Sequence, residues 1–155
     1  MVLKSEKVIK EWTDYNGHMN MSYYVLIFDN AAEVMLTRFK MGGDSAKSDK
    51  KSTFAVETHT TYDQEVKLGE EVEVHLTYFD HDKKRIHYRA SMFHKEKKYL
   101  AATTEVLSLY IDLNVRKVTE FEDEKKNIMD EFINQHKSNF KSDNLKFSNK
   151  LKKIS

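Results

Sequence analysis

The sequence contains no cysteine, and this absence removes several kinds of chemistry at once. Disulfide bonds, thiolate nucleophiles, zinc–thiolate sites and iron–sulfur clusters are all excluded for this chain of 155 residues. The chain also has no proline and only four glycines, so its few turn-forming positions carry unusual weight. Those positions divide the chain into segments: Gly17, Gly42, Gly43 and Gly69.

The charge and hydropathy of the chain favour neither a nucleic-acid nor a lipid partner. Lys and Arg (26) nearly balance Asp and Glu (25), and the net charge of +1 creates no global field that would attract nucleic acid. No apolar run approaches the roughly 18 residues of a membrane span. Residues 1–12 lack the apolar core of a secretory signal. We therefore expect a cytoplasmic protein with no membrane span and no nucleic-acid partner.

One long segment predicts a central helix. Residues 20–40 contain no glycine or proline, and their apolar side chains recur at helical spacing: Tyr24, Phe28, Ala31, Met35 and Phe39. Val25 and Leu26 widen this apolar stripe, so we expect protein on most sides of the helix. The polar residues 44–52 that follow predict a mobile surface loop.

After this loop the apolar period changes from 3.6 to 2, which predicts a series of strands. Four such segments follow, at residues 54–62, 71–79, 85–94 and 99–112. In the second, the residues expected on the core face are Val72, Val74, Leu76 and Tyr78. The fourth is apolar on both faces and is expected to pair on both sides. A further edge strand is expected within residues 4–12.

The end of the chain has a different pattern. An amphipathic helix is expected to begin near Glu122, with one apolar side made of Ile128, Met129, Phe132, Ile133 and His136. Beyond it, residues 141–155 contain five lysines and one aspartate with few apolar side chains, which predicts a disordered or loosely docked end. We therefore predict a domain at residues 1–120 and a tail at residues 121–155.

These segments together predict an α+β fold. An antiparallel sheet of about five to six strands would wrap around the long helix and bury the apolar faces of both. Such a sheet leaves an edge strand that a second copy of the chain can extend, so we expect a homo-oligomer.

The segment between the first strand and the helix carries a family signature. Residues 14–20 read DYNGHMN and are followed by Tyr23, Tyr24 and the apolar helix. This pattern resembles hotdog-fold acyl-CoA thioesterases, the 4-hydroxybenzoyl-CoA thioesterase-like group. Residues 57–74 and 99–112 resemble later strands of that group. The resemblance covers about residues 8–120 and is strongest to the betainyl-CoA thioesterase subgroup.

The resemblance implies a catalytic carboxylate at Asp14, three residues before Gly17. Asp14, Asn16 and His18 also match the D-x-N-x-H motif of plant acyl-carrier-protein thioesterases, where these residue types share the catalytic site. Asp14 would act as general base or nucleophile, and N–H groups at the helix start would form the oxyanion hole. The resemblance implies no metal and no cofactor. The chain departs from the 4-hydroxybenzoyl type in having the polar His18 and Asn20 after the glycine.

The same residues also have a structural interpretation. Asn20 is a suitable N-cap for the helix, and Asp14 can brace the turn. We assign Asn20, Tyr23 and Tyr24 to substrate binding, although aromatic residues at helical spacing are more often part of the core.

Histidines and acidic residues on the predicted strands give a weaker signal. Glu57 and His59 lie two apart on one strand, so they project from one face, and we assign them to substrate binding. Two ligands without a third do not predict a metal site. The remaining strand and turn histidines are expected at the surface: His75, His81, His87 and His94.

The implied activity is hydrolysis of an acyl-CoA thioester to a free acid and coenzyme A, with betainyl-CoA or a fatty acyl-CoA as the substrate. The implied assembly is a dimer or a dimer of dimers, with active sites at the subunit boundary. Two alternatives remain open on the same fold. One is an acyl-CoA-binding sensor or scaffold without catalysis, and the other is a hydratase or dehydratase acting on the acyl chain.

Overall fold

The computed structural model describes residues 1–153 and contains one antiparallel sheet with three helices. The strands are β1 (Val2–Lys7), β2 (Lys51–Tyr62), β3 (Glu71–His81), β4 (Arg85–His94), β5 (Leu100–Asp112) and β6 (Lys117–Val118). The helices are α1 (Met21–Arg38), α2 (Gly43–Asp49) and α3 (Asp123–His136). The strand order is β1-β3-β4-β5-β2, with β6 beside β5. The predicted α+β architecture is confirmed.

Helix α1 packs its predicted apolar stripe into the core. All five residues of that stripe are buried, and their contacts come from the curled sheet and from α3. Val25, Leu26 and Val34 lie on the other side and remain exposed (48%, 39% and 44%). The expectation of protein on most sides of the helix was therefore wrong for a single chain.

The sheet places β2 differently from a simple succession of hairpins. Strands β3, β4 and β5 are consecutive antiparallel neighbours, but β2 pairs with β5 rather than with β3. Residues 63–70 therefore cross from the edge strand β2 to β3, which lies next to the opposite edge strand β1. Strand β5 pairs on both sides, as predicted, whereas β2 pairs on one side only among the described residues.

A β-bulge in β3 changes which side chains face the core. The register with β4 shifts between Leu76 and Tyr78, so Phe79 is buried in place of Tyr78. A bulge inserts one residue and reverses the alternation beyond it. The predicted core position of Tyr78 was therefore wrong, although Val72, Val74 and Leu76 are buried as expected.

The polar segment after α1 is ordered rather than a loop. It forms α2, and β2 begins at Lys51 immediately afterwards. Two contacts fix it: the Gly43 N–H donates to Glu33 Oε1 at 2.6 Å, and the Asp49 carboxylate accepts from Lys125 Nζ at 2.8 Å. Lys125 lies 76 residues after Asp49 in the chain, so the pattern within residues 44–52 gives no indication of this contact.

Helix α3 begins one residue after the predicted start and joins the core. Phe132 packs against Phe39 and Phe79, with ring centroids 5.1 and 5.9 Å apart, and Met129 is buried beside it. Residues 137–153 then lie across the outer face of the sheet, where Phe147 is buried. The prediction of a disordered or loosely docked end was wrong for these residues; Ile154 and Ser155 lie outside the described part. The boundary at residue 120 stays a prediction.

Two histidines that were expected at the surface are buried, one beneath the docked tail and one at a turn of the sheet. His87 is buried beneath Phe147, and its Nε2 lies 2.7 Å from Glu105 Oε1. His94 is buried at the β4–β5 turn, where its Nδ1 accepts from the Glu96 and Lys97 N–H groups. Both surface assignments were wrong.

None of the helices within residues 1–153 is long and apolar enough to cross a membrane.

Candidate functional site

A tight turn before α1 holds the predicted catalytic residues together. The Thr13 and Met19 backbones pair, the Asp14 N–H donates to the His18 carbonyl, and the Gly17 N–H donates to the Asp14 carbonyl. Gly17 has a φ of +78°, the left-handed conformation that glycine adopts without cost. The turn thus brings Asp14 and His18 opposite each other on its two arms.

The two oxygens of the Asp14 carboxylate have different environments. Oδ1 accepts the Asn16 N–H at 2.8 Å and so braces the turn. Oδ2 makes no hydrogen bond to any of residues 1–153, and the side chain is half-buried. The structural interpretation of Asp14 thus uses one oxygen, and the other is available to a ligand. Asn16 itself is exposed.

His18 has a defined ring orientation. Its Nδ1 lies 3.1 Å from the Met19 carbonyl, which accepts only, so Nδ1 is the donor. In the neutral ring Nε2 is then the free acceptor. The His18 backbone also pairs with Lys67, so the crossing segment holds the ring in place.

The start of α1 follows immediately. Asn20 is the N-cap, and its Oδ1 accepts the Ser22 N–H at 3.0 Å. The Met21 N–H has no partner among the described residues, which makes it the free donor of the first helical turn. A helix start carries partial positive charge, so this donor suits a developing oxyanion.

The two tyrosines at the helix start point to different places. Tyr23 stacks on Trp12, with ring centroids 5.9 Å apart, and lines neither cavity near the turn. The Tyr24 hydroxyl accepts the Val66 N–H at 3.1 Å, and its ring meets Tyr62 edge-on. Burial raises the pKa of Tyr24, so its hydroxyl stays protonated at neutral pH.

The first turn of α1 borders two cavities. The first, here called the entrance cavity, has a volume of about 210 Å³. Its walls are His18, Met19, Met21, Tyr24, Tyr62, Asp63, Gln64 and Glu65. The second, the helix–sheet cavity, has a volume of about 390 Å³ and lies between α1 and the strands β2, β4 and β5. Asp14 is not part of either wall, but its neighbour His18 is part of the first.

The helix–sheet cavity combines an apolar wall with a few polar groups. Val25, Leu26, Phe28, Ala55 and Val106 supply the apolar part, and Ser22, Thr58, Thr60 and Thr104 supply hydroxyls. Among residues 1–153, Asp29 is the only carboxylate in the wall of this cavity, and Tyr88 lies opposite it. Burial, helped by the charge of Asp29, raises the pKa of Tyr88.

Asp29 and Tyr88 were missed by the sequence reasoning. A usable signal for Asp29 was present, because it is the first acidic residue in the otherwise apolar first half of α1. An acid at such a position needs a solvent opening or a partner. Tyr88 gave no signal beyond strand alternation.

Glu57 and His59 are not brought together with Asp14 within one chain. Thr58 and Thr60 face the helix–sheet cavity, so the alternating residues Glu57 and His59 face the outer side of the sheet. His59 lines a separate outer cavity of about 280 Å³ with Arg89 and Glu105. Their assignment to substrate binding stays a prediction.

No group of three or more His, Asp or Glu side chains within residues 1–153 is arranged to hold a metal ion.

Comparison with known proteins gives a consistent result. The model of the thioesterase-like superfamily matches residues 8–132. A betainyl-CoA thioesterase from Pseudomonas aeruginosa is 30% identical over 117 residues, which cover 76% of this chain and 74% of that protein.

Solved structures share the fold over most of the chain. A Staphylococcus aureus protein in complex with CoA matches with a TM-score of 0.80 at 24% identity, covering 100% of this chain and 95% of that one. A 1,4-dihydroxy-2-naphthoyl-CoA thioesterase from Synechocystis matches with a TM-score of 0.72 at 16% identity, covering 81% of this chain and 93% of that one. The family match and these structures confirm the resemblance seen in the sequence: the chain belongs to the thioesterase-like superfamily and is a hotdog-fold thioester hydrolase.

Proposed function

We propose that the protein hydrolyses an acyl-CoA with Asp14 as the catalytic carboxylate. The observation that carries this proposal is that Asp14 lies on a hydrogen-bonded turn just before α1 and that neither its Oδ2 nor the Met21 N–H has a hydrogen-bond partner among residues 1–153. The carboxylate takes a proton from water or attacks the thioester carbonyl itself, and the Met21 N–H stabilises the oxyanion. In the general-base route, water adds to the thioester carbonyl as Asp14 takes its proton, His18 passes that proton through Nε2 to the sulfur as the C–S bond breaks, and Asn16 orients the water.

The test of this role is Asp14→Asn. The Asn side chain keeps an oxygen that accepts the Asn16 N–H, so the turn persists, but the basic oxygen is lost. We expect turnover of the best substrate to fall by about 10²–10⁴-fold, the usual contribution of a general base, with an unchanged melting temperature. Glu11→Gln, an exposed carboxylate on the preceding turn, is the control and should retain full activity. Full turnover in Asp14→Asn contradicts the assignment.

The acyl group is proposed to occupy the helix–sheet cavity. Its volume of about 390 Å³ suits a small acyl group. Asp29 and Tyr88 offer a negative charge and an aromatic ring, which suit a cation such as the trimethylammonium of a betainyl group. The betainyl-CoA thioesterase activity named for the Pseudomonas aeruginosa relative would require such groups. We therefore favour a betainyl over a long fatty acyl substrate.

Free-thiol release from a panel of acyl-CoAs tests this preference. We expect betainyl-CoA to be hydrolysed better than butyryl-CoA, and Asp29→Asn to raise the KM for betainyl-CoA while leaving that for butyryl-CoA nearly unchanged. Equal effects on both substrates contradict charge recognition. Binding without thiol release would indicate a sensor, and a changed acyl chain on an intact thioester would indicate a hydratase or dehydratase.

The assembly is proposed to be a homodimer formed through β2. Within residues 1–153 this strand is an unpaired edge of the sheet. Exposed apolar side chains lie on it and on the adjacent side of α1: Phe54, Val56, Tyr62, Met21, Val25 and Leu26. Pairing with a second copy would extend the sheet and cover the open side of the helix–sheet cavity. A dimer of dimers and the cytoplasmic location stay predictions.

Light scattering after size exclusion tests the dimer. Val56→Lys places a charge on the β2 edge and should shift the protein to a monomer with reduced thioesterase activity. Val115→Lys, at an equally exposed position beyond β5, should leave the mass unchanged. A dimeric Val56→Lys variant contradicts the β2 interface.

A further inference from the structure

The segment that follows α3 is held against the outer face of the sheet by its backbone. We call residues 140–152 the strap. The Lys141 N–H donates to the Thr77 carbonyl at 2.9 Å, and the Arg89 guanidinium donates to the carbonyls of Lys141 and Asp143. Further along, the Lys152 N–H donates to Asp82 Oδ2 at 2.7 Å. Each of these bonds uses a main-chain group of the strap.

Glu105 of β5 is the centre of this attachment. Its side chain is almost fully buried and accepts three donors: the Lys146 N–H at 2.8 Å, the Phe147 N–H at 2.9 Å and His87 Nε2 at 2.7 Å. A buried carboxylate requires such donors, because burial removes its hydrogen bonds to water and the protein must replace them. Burial works to raise the pKa of Glu105, but the strap N–H groups and His87 lower it, so Glu105 stays charged.

The lysine side chains of the strap contribute little to this contact, because those of Lys141, Lys146 and Lys152 are exposed. Two aromatic rings supply its apolar contacts: Phe140 packs against Tyr78 and Phe132, and Phe147 packs over His87. The attachment therefore depends on where the backbone N–H and C=O groups lie rather than on the lysine side chains.

The residues that bind the strap alternate along β4 and β5 with residues of the helix–sheet cavity. In β5, Glu105 lies between Thr104 and Val106, which both line that cavity. In β4, His87 and Arg89 flank Tyr88, which also lines it. Successive side chains of a strand point to opposite faces of the sheet. The strap therefore binds the outer face of β4 and β5, at the positions where the inner face of these strands forms the floor of the helix–sheet cavity.

We propose that the strap is a positioning element for the acyl site, with Glu105 as the positioning residue through which it holds Thr104, Val106 and Tyr88. This inference rests on the proposed function in one respect, namely that the acyl group occupies the helix–sheet cavity. The strap fixes the curvature of β4 and β5 where they form the cavity floor, and so sets the relative fit of different acyl groups.

Two variants release the strap and one matched control does not. Glu105→Gln keeps the shape of the side chain but puts an amide donor against the strap donors or His87. Lys146→Pro removes one N–H that Glu105 accepts, whereas Lys146→Ala removes the same exposed side chain and keeps the N–H. The two Lys146 variants also lose the same trypsin site, so their cleavage rates are directly comparable.

Release is measured by the rate of tryptic cleavage after the strap lysines at 141 and 150. We expect Glu105→Gln and Lys146→Pro to be cleaved at least tenfold faster than wild type, and Lys146→Ala to be cleaved at the wild-type rate. If neither releasing variant is cleaved faster, Glu105 does not hold the strap and the proposal fails.

The positioning role is measured by a ratio that is independent of the amount of folded enzyme. For betainyl-CoA and butyryl-CoA, we expect the ratio of kcat/KM values, and the ratio of Kd values of their non-hydrolysable thioether analogues, to change at least threefold in the released variants. Lys146→Ala should keep both ratios. Faster cleavage with unchanged ratios overturns the proposal. A wild-type protein that hydrolyses no acyl-CoA refutes the proposed function instead, and the Kd ratio still decides the role of the strap.

Discussion

Replacing Asn20 separates its role as a helix cap from a role in substrate binding. Its Oδ1 accepts the Ser22 N–H at 3.0 Å in a solvent-accessible position, so Asn20→Ala leaves that N–H to water. Loss of an N-cap of this kind costs about 1 kcal/mol. For a domain of this size we expect the melting temperature to fall by roughly 2–4 °C. Asn20→Asp keeps the acceptor and adds a negative charge at the positive end of α1, so it should restore the melting temperature.

The assay combines thermal denaturation at matched protein concentration with steady-state thioester hydrolysis. Asn20→Ser, whose hydroxyl caps the helix without adding a charge beside the Met21 N–H, is the variant used to compare KM values. If Asn20 is only a cap, Asn20→Ser restores both the melting temperature and the KM. If its amide also binds substrate, Asn20→Ser restores the melting temperature but leaves the KM raised. The capping argument is refuted by an unchanged melting temperature in Asn20→Ala, or by an Asn20→Asp variant as unstable as Asn20→Ala.

Three further predictions concern the turn, α3 and the pH dependence of stability. Gly17→Ala should lower the free energy of unfolding, measured in urea, by about 1–2 kcal/mol, because the φ of +78° disfavours a side chain. No atom within 4 Å would contact the added Cβ, so the cost is one of backbone conformation, and Gly17→Asn should cost less. Phe132→Ala should cost about 3–5 kcal/mol, since this ring is in the core; a loss below 1 kcal/mol would mean that α3 is only appended. The Lys67 N–H and the Lys97 ammonium lower the pKa of Glu70 to about 2 from its ordinary value of 4.5. A carboxylate whose pKa is lowered by folding stabilises the fold at pH values above its ordinary pKa. Glu70→Gln should therefore lower the free energy of unfolding by about 1 kcal/mol at pH 7, after allowing for solvent screening, and this loss should shrink as the pH falls from 4.5 toward 2. A loss that is the same at every pH contradicts this.

The parts of the fold that were predicted correctly depend on local sequence patterns. The spacing of Tyr24, Phe28 and Ala31 defines α1 without reference to any other segment, and the polar residues before it define its start. The alternation in β3 likewise predicts Val72 and Val74 in the core. Such periodicities are properties of consecutive residues, so one sequence is enough to detect them.

The errors have long-range causes. The tail contains too few apolar residues to predict docking, but its N–H groups are bound by Glu105, about 41 residues earlier in the chain. His87 gives no sign of burial in its own strand, because Phe147 covers it from the tail. A bulge between Leu76 and Tyr78 depends on the pairing with β4. None of these contacts leaves a periodic pattern near the residue it affects.

The turn before α1 was predicted in position, but the cavity beside it was not. The signature located Asp14, His18 and Asn20 on the turn before α1, where the structure has them. It gave no information on the helix–sheet cavity, because Asp29, Tyr88 and Thr104 come from one helix and two strands that only the folded chain brings together.

The structural and the catalytic interpretations of the turn are compatible, because the groups involved have more than one binding capacity. A carboxylate has two oxygens, and the turn uses only Oδ1 of Asp14. A helix start has several free N–H groups, and Asn20 satisfies that of Ser22 while the Met21 N–H stays free. The bonds that stabilise the turn therefore fix the direction of the groups that remain. The Asn16 N–H bond to Oδ1 favours one orientation of the carboxylate, so the local structure of this turn itself contributes to the pre-organisation that acyl transfer requires.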